Sequence, residues 1–341
     1  MTSAPLNYRN DLRLRFPVIM APMFLVTNEP MLTAAMDAGI IASFPSLNYR
    51  KVEDLNAVLG RLNSHRASLK NAYGNFAVNL IVQKTNIFYK KHLAACVAHQ
   101  VPIYITSLGN PTETIQQAHA YGAKVYCDVT NELHAQKCFD AGCDGFIAVS
   151  QGAGGHAGPN PLLLLIESLK KKFPAKPIWA AGGIATGTGI LGAMAAGASA
   201  AYIGTRFIAS TEAAVSQAYK DAIVNSKMDD IIMSNRISGT PCTIINTPYA
   251  QKIGTTQNWF EHWMSNNATT KKYFKMLVQK RGMDWLEKAI RPGNYNSLWC
   301  AGKSVELIQN IQPIAAILHD MEMEFKLAID ELNAKSASWL H

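Results

Sequence analysis

Apolar, β-prone runs recur along residues 17–203, each followed by a stretch in which polar and apolar positions mix as on a helix. The runs are Pro17–Met23, Ile40–Pro45, Gly74–Leu80, Val101–Thr106, Lys124–Val129, Gly145–Ser150, Pro177–Ala181 and Ala200–Ile203. They are continuous rather than alternating, which is how strands read when both faces are covered. Their spacing fits one strand plus one crossover helix. Between them, Thr27-Asn28-Glu29-Pro30 supplies a cap and an early proline for a helix over 31–38 that stops at Gly39. Further helices are predicted over 111–121, 131–140, 161–172 and 187–196. The 187–196 segment has small side chains, so its backbone is expected to lie close to the sheet.

Eight such units predict an α/β fold of the closed (β/α)8 kind, a TIM barrel. An open doubly wound sheet is the alternative, but Phe24-Leu25-Val26 follows the first strand where a dinucleotide site needs GxGxxG. Beyond Thr211 the pattern changes. Residues 215–235 read as helical, 256–290 as helical and aromatic, and 309–332 as a last amphipathic helix; no ninth strand is evident. The expected organisation is a barrel over 1–211, a mostly helical cap over 212–295 and a C-terminal segment, 296–341, that returns to the barrel.

Composition narrows the class. Hydrophobic residues at 48% and charged ones at 16% support a large core and exclude a disordered chain. The net charge of +8 is scattered rather than gathered into a basic stripe, so no nucleic-acid partner is expected. No uncharged apolar run is long enough to span a membrane. Met1 to Arg15 lacks the apolar core of a secretory leader, and the six cysteines form no CxxC pair. These features predict a cytoplasmic protein with reduced thiols. His92, Cys96 and His99 share a helical face, but on an outer helix where packing explains them better than a metal. No HExxH or GxSxG motif occurs, and no metal is expected.

In a barrel of this kind the chemistry sits at the C-terminal ends of the strands. There the third run holds Asn79 between Val78 and Leu80, a buried amide that needs partners. The sixth run continues into Gln151-Gly152-Ala153-Gly154-Gly155-His156-Ala157-Gly158. Its glycines allow positive φ and close approach of a ligand to backbone, and a histidine held there can move protons near neutral pH. Runs seven and eight lead into Gly182-Gly183 and Gly204-Thr205. Loops at these two positions form the recurrent phosphate cradle of the fold, so the amides of Gly183, Gly204 and Thr205 are candidate donors.

Together with Pro17–Met23 and Val78-Asn79-Leu80, these segments resemble the nitronate monooxygenase family. The resemblance resumes at Ser238–Pro241 and Trp299–Lys303. It implies a barrel that binds FMN non-covalently, with a helical domain over the substrate. By position, Ala21 and Met23 would back the isoalloxazine, and Asn79 and Gln151 would bond its polar edge. Gly154, Gly155, Gly182, Gly183, Gly204 and Thr205 would line the cofactor and its phosphate, and His156 would be catalytic. Many members read Gln-Gly-x-Glu-Ala-Gly-Gly-His; here the loop is two residues shorter and lacks the Glu. A histidine in a similar loop also occurs in flavin-dependent type II enoyl-acyl-carrier-protein reductases.

The function this implies is oxidation of alkyl nitronates, and of nitroalkanes once deprotonated, by O2. The alternatives are an NAD(P)H-dependent flavin reductase on the same fold and a ligand-binding barrel without catalysis. The partners expected are a small molecule and O2, with the protein a monomer or a homodimer.

Overall fold

The computed structural model describes residues 11–70, 73–234, 241–254 and 298–340. Eight parallel strands close into a barrel: β1 (Val18–Met20), β2 (Ile41–Pro45), β3 (Asn75–Ile81), β4 (Ile103–Ser107), β5 (Lys124–Val129), β6 (Gly145–Val149), β8 (Ile178–Ala181) and β9 (Ala200–Ile203). Ile19 opposite Tyr202 closes the ring. Each strand lies within one of the eight apolar runs or overlaps it closely. The (β/α)8 expectation holds, and the open sheet is excluded by the β1–β9 pairing.

Side chains alternate along each strand, so the register decides which residues face inward. Asn79, Ile105, Tyr126 and Gly145 are successive partners at one level. Ile81 and Ser107 are partners one step nearer the C-terminal end, as are Asp128 and Ile147. This face is the interior, because Tyr126 stacks on Trp179 at 3.7 Å between centroids although β6 separates their strands. Gly145 makes that stack possible: a Cβ there would lie 2.6 Å from the Tyr126 ring. The opposite face packs on helices, as Phe146 does against Phe173.

The caps follow the local chemistry. Asn28 Oδ1 accepts from the Met31 amide at 2.9 Å, with Pro30 in the first turn of the helix Glu29–Asp37. Gly187, at the start of the helix Gly187–Ala195, does allow a close approach, but to the C-terminal helix rather than to the sheet. A Cβ at Gly187 would meet Met321 O at 2.1 Å, and its amide donates to Glu324 Oε2 at 2.7 Å.

Three readings are corrected beyond the barrel. The helix predicted over 215–235 spans only Gln217–Asn225, and strand β10 (Ile231–Ser234) follows. It pairs antiparallel with β11 (Cys242–Ile245), which pairs with the two-residue strand β7 (Gly155–His156). Strands beyond the eighth therefore exist. Ile231-Ile232-Met233 satisfies a helical period as well as a strand, and the chain turns extended at Ser226 (ψ 150°), which breaks the helix. The last helix runs Ile314–Leu340, later than predicted at both ends; Gln312 is held extended in a bridge to Ser210, so the helix starts after Pro313. Its first amide, on Ile314, donates to the Glu212 carboxylate at 2.9 Å, which fastens it beside the barrel. The aromatic segment predicted helical over 256–290, and Ser238–Thr240, lie outside the described residues. Among the described residues no helix is long and apolar enough to cross a membrane.

Candidate active site at the barrel mouth

The predicted site residues fall into two groups at the C-terminal rim. The first gathers around the exits of β1, β6, β8 and β9. The Ala21 amide donates to Ile203 O at 2.8 Å, which ties the β1 exit to the end of β9. Gly204 follows, and a Cβ there would lie 3.7 Å from Ala21 Cβ and 3.8 Å from Met23. Gly182 and Gly183 both adopt positive φ, +114° and +78°, so the β8 exit takes a turn open chiefly to glycine. The Gly183 amide donates to Gly152 O at 3.1 Å, lacing that turn to the glycine-rich loop after β6. The Gly183 amide is thus engaged within the protein, while no atom lies within 4 Å of where its Cβ would project. Thr205 is buried, with Oγ1 accepting from the Gly302 amide at 3.0 Å. Gly154 packs against the same segment: its Cβ would meet Gly302 N at 2.8 Å and Thr205 Oγ1 at 3.1 Å.

The loop 150–158 folds back on its strand through Ser150, whose carbonyl accepts from the amides of Ala153 and Gly158. The Gln151 amide donates to Asn160 O at 2.9 Å, and its side chain is exposed. His156 is exposed at the rim and held in strand register opposite Cys242, while Thr243 Oγ1 donates to Ala153 O at 2.7 Å. The histidine is thus presented by a paired strand rather than by a loose loop. Arg206 follows Thr205 but turns away, donating to Asn310 O, Asn310 Oδ1 and Gln312 Oε1.

The second group stands across the mouth. Asn79 Nδ2 donates to Ser107 Oγ at 2.8 Å and, at 3.4 Å, to Ile105 O. Ser107 Oγ donates in turn to Asp128 Oδ2 at 2.5 Å. Burial pushes the Asp128 carboxyl up to about 6, and the Ser107 hydrogen bond offsets part of that rise. Its other oxygen, Oδ1, is buried without a hydrogen-bond partner in the protein. Beneath lies an aromatic floor in which Trp179 stacks on Tyr126 and, at 6.3 Å, on Tyr202. Burial, and secondarily the Asp128 charge, holds the Tyr202 phenol far above its ordinary range.

Ser107 and Asp128 escaped the sequence reading. The signal was there: each is a polar residue on the inward parity of an otherwise apolar buried strand. Their association with Asn79 depends on closing three strands side by side. Of the helical trio weighed for metal, His92 is buried with Nδ1 3.1 Å from Ser46 Oγ. Among the described residues no three His, Cys, Asp or Glu side chains converge as a metal site.

A family model described as nitronate monooxygenase matches residues 52–323, most of the chain. The chain belongs to the nitronate monooxygenase family. The match takes in β3 to β11 and so covers the second group of site residues whole and the first apart from Ala21 and Met23. A probable nitronate monooxygenase of Staphylococcus saprophyticus is 28% identical over 241 residues, 67% of this chain and 64% of that protein. The chain spans about half the length of the curated relatives it matches, from 44% to 64%. Among solved structures it overlays on FabK from Thermotoga maritima with a TM-score of 0.82 at 26% identity, covering 98% of this chain and 100% of that one. A nitroalkane oxidase from Streptomyces ansochromogenes shares the fold, with a TM-score of 0.78 at 20% identity over 94% of this chain and 98% of that one.

Proposed function

We propose that the barrel mouth binds FMN and that the protein oxidises alkyl nitronates with O2. The observation that carries this is the pairing of a glycine-built rim with a polar array across one well. The family places such chemistry at a flavin. The residues fit that group. The Gly183 face is open to about a van der Waals radius beyond its Cβ position, and Asp128 Oδ1 is a buried acceptor still lacking a donor. Gly204 and Thr205 stand at the β9 exit, where the fold recurrently receives phosphate. Ala21 and Met23 flank Gly204 and would back the ring. Gln151, Gly154, Gly155, Gly182 and Gly183 would border it on the β6 and β8 side, and Asn79 would meet its polar edge.

When bound, FMN supplies the acceptor for the substrate's electrons and the route to O2. The chain's own task is to hold the substrate anion beside it. His156, fixed on β7 at the rim, would orient the nitro group of a nitronate through a ring N–H, or take the α-proton of a neutral nitroalkane. The net charge of +8 favours approach of an anion over long range.

The test is His156→Asn in FMN-loaded protein. Flavin content should stay at the wild-type level, and turnover of neutral nitroalkane should fall by roughly 10²- to 10⁴-fold, the scale of general base catalysis. Wild-type turnover would remove His156 from the reaction. A second reading is an NAD(P)H-dependent flavin reductase, since a histidine in a similar loop also occurs in flavin-dependent type II enoyl-acyl-carrier-protein reductases. Anaerobic mixing separates the two: bleaching of the flavin by NADPH with no response to nitronate selects the reductase.

A further inference from the structure

We infer that Ser107 and Asp128 are positioning residues that fix the Asn79 amide with its carbonyl oxygen turned toward the barrel mouth, so that this side of the well accepts an N–H from the flavin ring edge. The inference rests on the FMN reading above.

The polarity follows from proton counting. A serine hydroxyl has one proton to give. The Ser107 proton goes to Asp128 Oδ2 at 2.5 Å. Ser107 Oγ can then only accept from Asn79, which makes the atom 2.8 Å away the amide nitrogen. The second amide proton points at Ile105 O, an acceptor without a proton of its own, at 3.4 Å. Turning the amide over would set two oxygens against each other there. Both amide protons are thereby committed to the barrel wall, and Oδ1, the other branch of the planar group, has no partner among the described residues and is not one of their buried unpartnered atoms. The imide N–H of the isoalloxazine pyrimidine is the donor that such an oxygen takes.

The three residues come from adjacent strands, and each holds the next. Asp128 keeps the serine from donating to the amide, and Ser107 keeps the nitrogen against the β4 wall. Without the carboxylate, the serine is free to donate to Asn79 Oδ1, and the amide can present its nitrogen to the ligand instead. Two N–H groups would then meet.

Apo-protein titrated with FMN and with riboflavin at pH 8, combined with the ¹⁵N3–H resonance of bound labelled FMN, tests this. Ser107→Ala and Asp128→Ala should each weaken FMN roughly three- to tenfold, the scale of one lost hydrogen bond. The N3–H resonance should shift away from its hydrogen-bonded position. Ser107→Thr, which keeps the hydroxyl, should restore both. The ratio of FMN to riboflavin affinity should stay constant in all variants, because the phosphate side is untouched; this separates reorientation from general loosening of the mouth. An unchanged N3–H resonance in Ser107→Ala and Asp128→Ala, with FMN still bound, overturns the inference and leaves the FMN reading standing. Failure of wild-type protein to take up FMN overturns both.

Discussion

At the exits of β8 and β9 the mouth is walled by backbone, whereas at the exits of β3, β4 and β5 it is walled by side chains. Gly182, Gly183 and Gly204 line the first wall, and two of the three sit at positive φ. Asn79, Ser107 and Asp128 line the second, joined by two hydrogen bonds of 2.8 and 2.5 Å. The walls fail in different ways. A backbone wall has almost no steric tolerance where a Cβ would meet other backbone, as at Gly182. A side-chain wall tolerates changes of volume but carries the cost of polar groups held from water. The largest effects of substitution should therefore be steric on one side and electrostatic on the other.

Gly182→Ala should give the largest loss. The residue sits at φ +114°, and its Cβ would lie 2.4 Å from Ser150 Oγ and 2.5 Å from Ala153 N. The second contact is backbone and cannot rotate away. Strain and overpacking together should cost about 3 kcal/mol or more. Thermal melting should show a large drop, with loss of bound flavin. A melting curve superimposable on wild type would mean that the β8 turn is not the rigid element described.

Asp128→Asn tests the other wall and should act in the opposite direction. The carboxyl is raised from 3.8 to about 6 in the folded protein. A raised carboxyl makes the folded state hold its proton longer than the unfolded chain does. Stability from this group is thus complete below about pH 4 and is lost as pH rises through about 6. The amide has no such loss. Apo-protein carrying Asp128→Asn should match wild type near pH 4 and exceed it at pH 8 by about 2 kcal/mol, allowing for water at the mouth. Equal denaturant midpoints at both pH values would show that the carboxylate is not penalised there.

The contrast also explains what could be read in advance. The barrel was legible because strands covered on both faces write themselves as continuous apolar runs, and each of the eight became a strand. The backbone wall was legible because glycine pairs mark themselves in the chain. Of the side-chain wall only Asn79 was; Ser107 and Asp128 were not, because the three are far apart in sequence and meet only through register. Thr205 and Gly183 show a further limit. Their positions were foreseen, but the hydroxyl accepts from Gly302 and the amide donates to Gly152, partners that no local motif announces. The β7–β10–β11 sheet was missed because β7 has two residues and exists only through its pairing with Cys242 and Thr243.

Gly183→Ala should have the smallest effect on the fold and is the sharpest probe of the backbone wall. It adds the same methyl group as the neighbouring change at Gly182, but into space with no protein atom within 4 Å. The remaining cost is the positive φ of +78°, about 1–2 kcal/mol for an alanine. The hydrogen bond from its amide to Gly152 O does not involve the side chain and should persist. Stability should therefore fall slightly, while FMN affinity should fall more than the melting temperature alone would imply, because the methyl would project where the ligand is proposed to lie. Titration with FMN alongside thermal melting measures both. A small loss of stability with full FMN affinity would move the ligand away from the β8 turn while leaving the account of the turn itself intact.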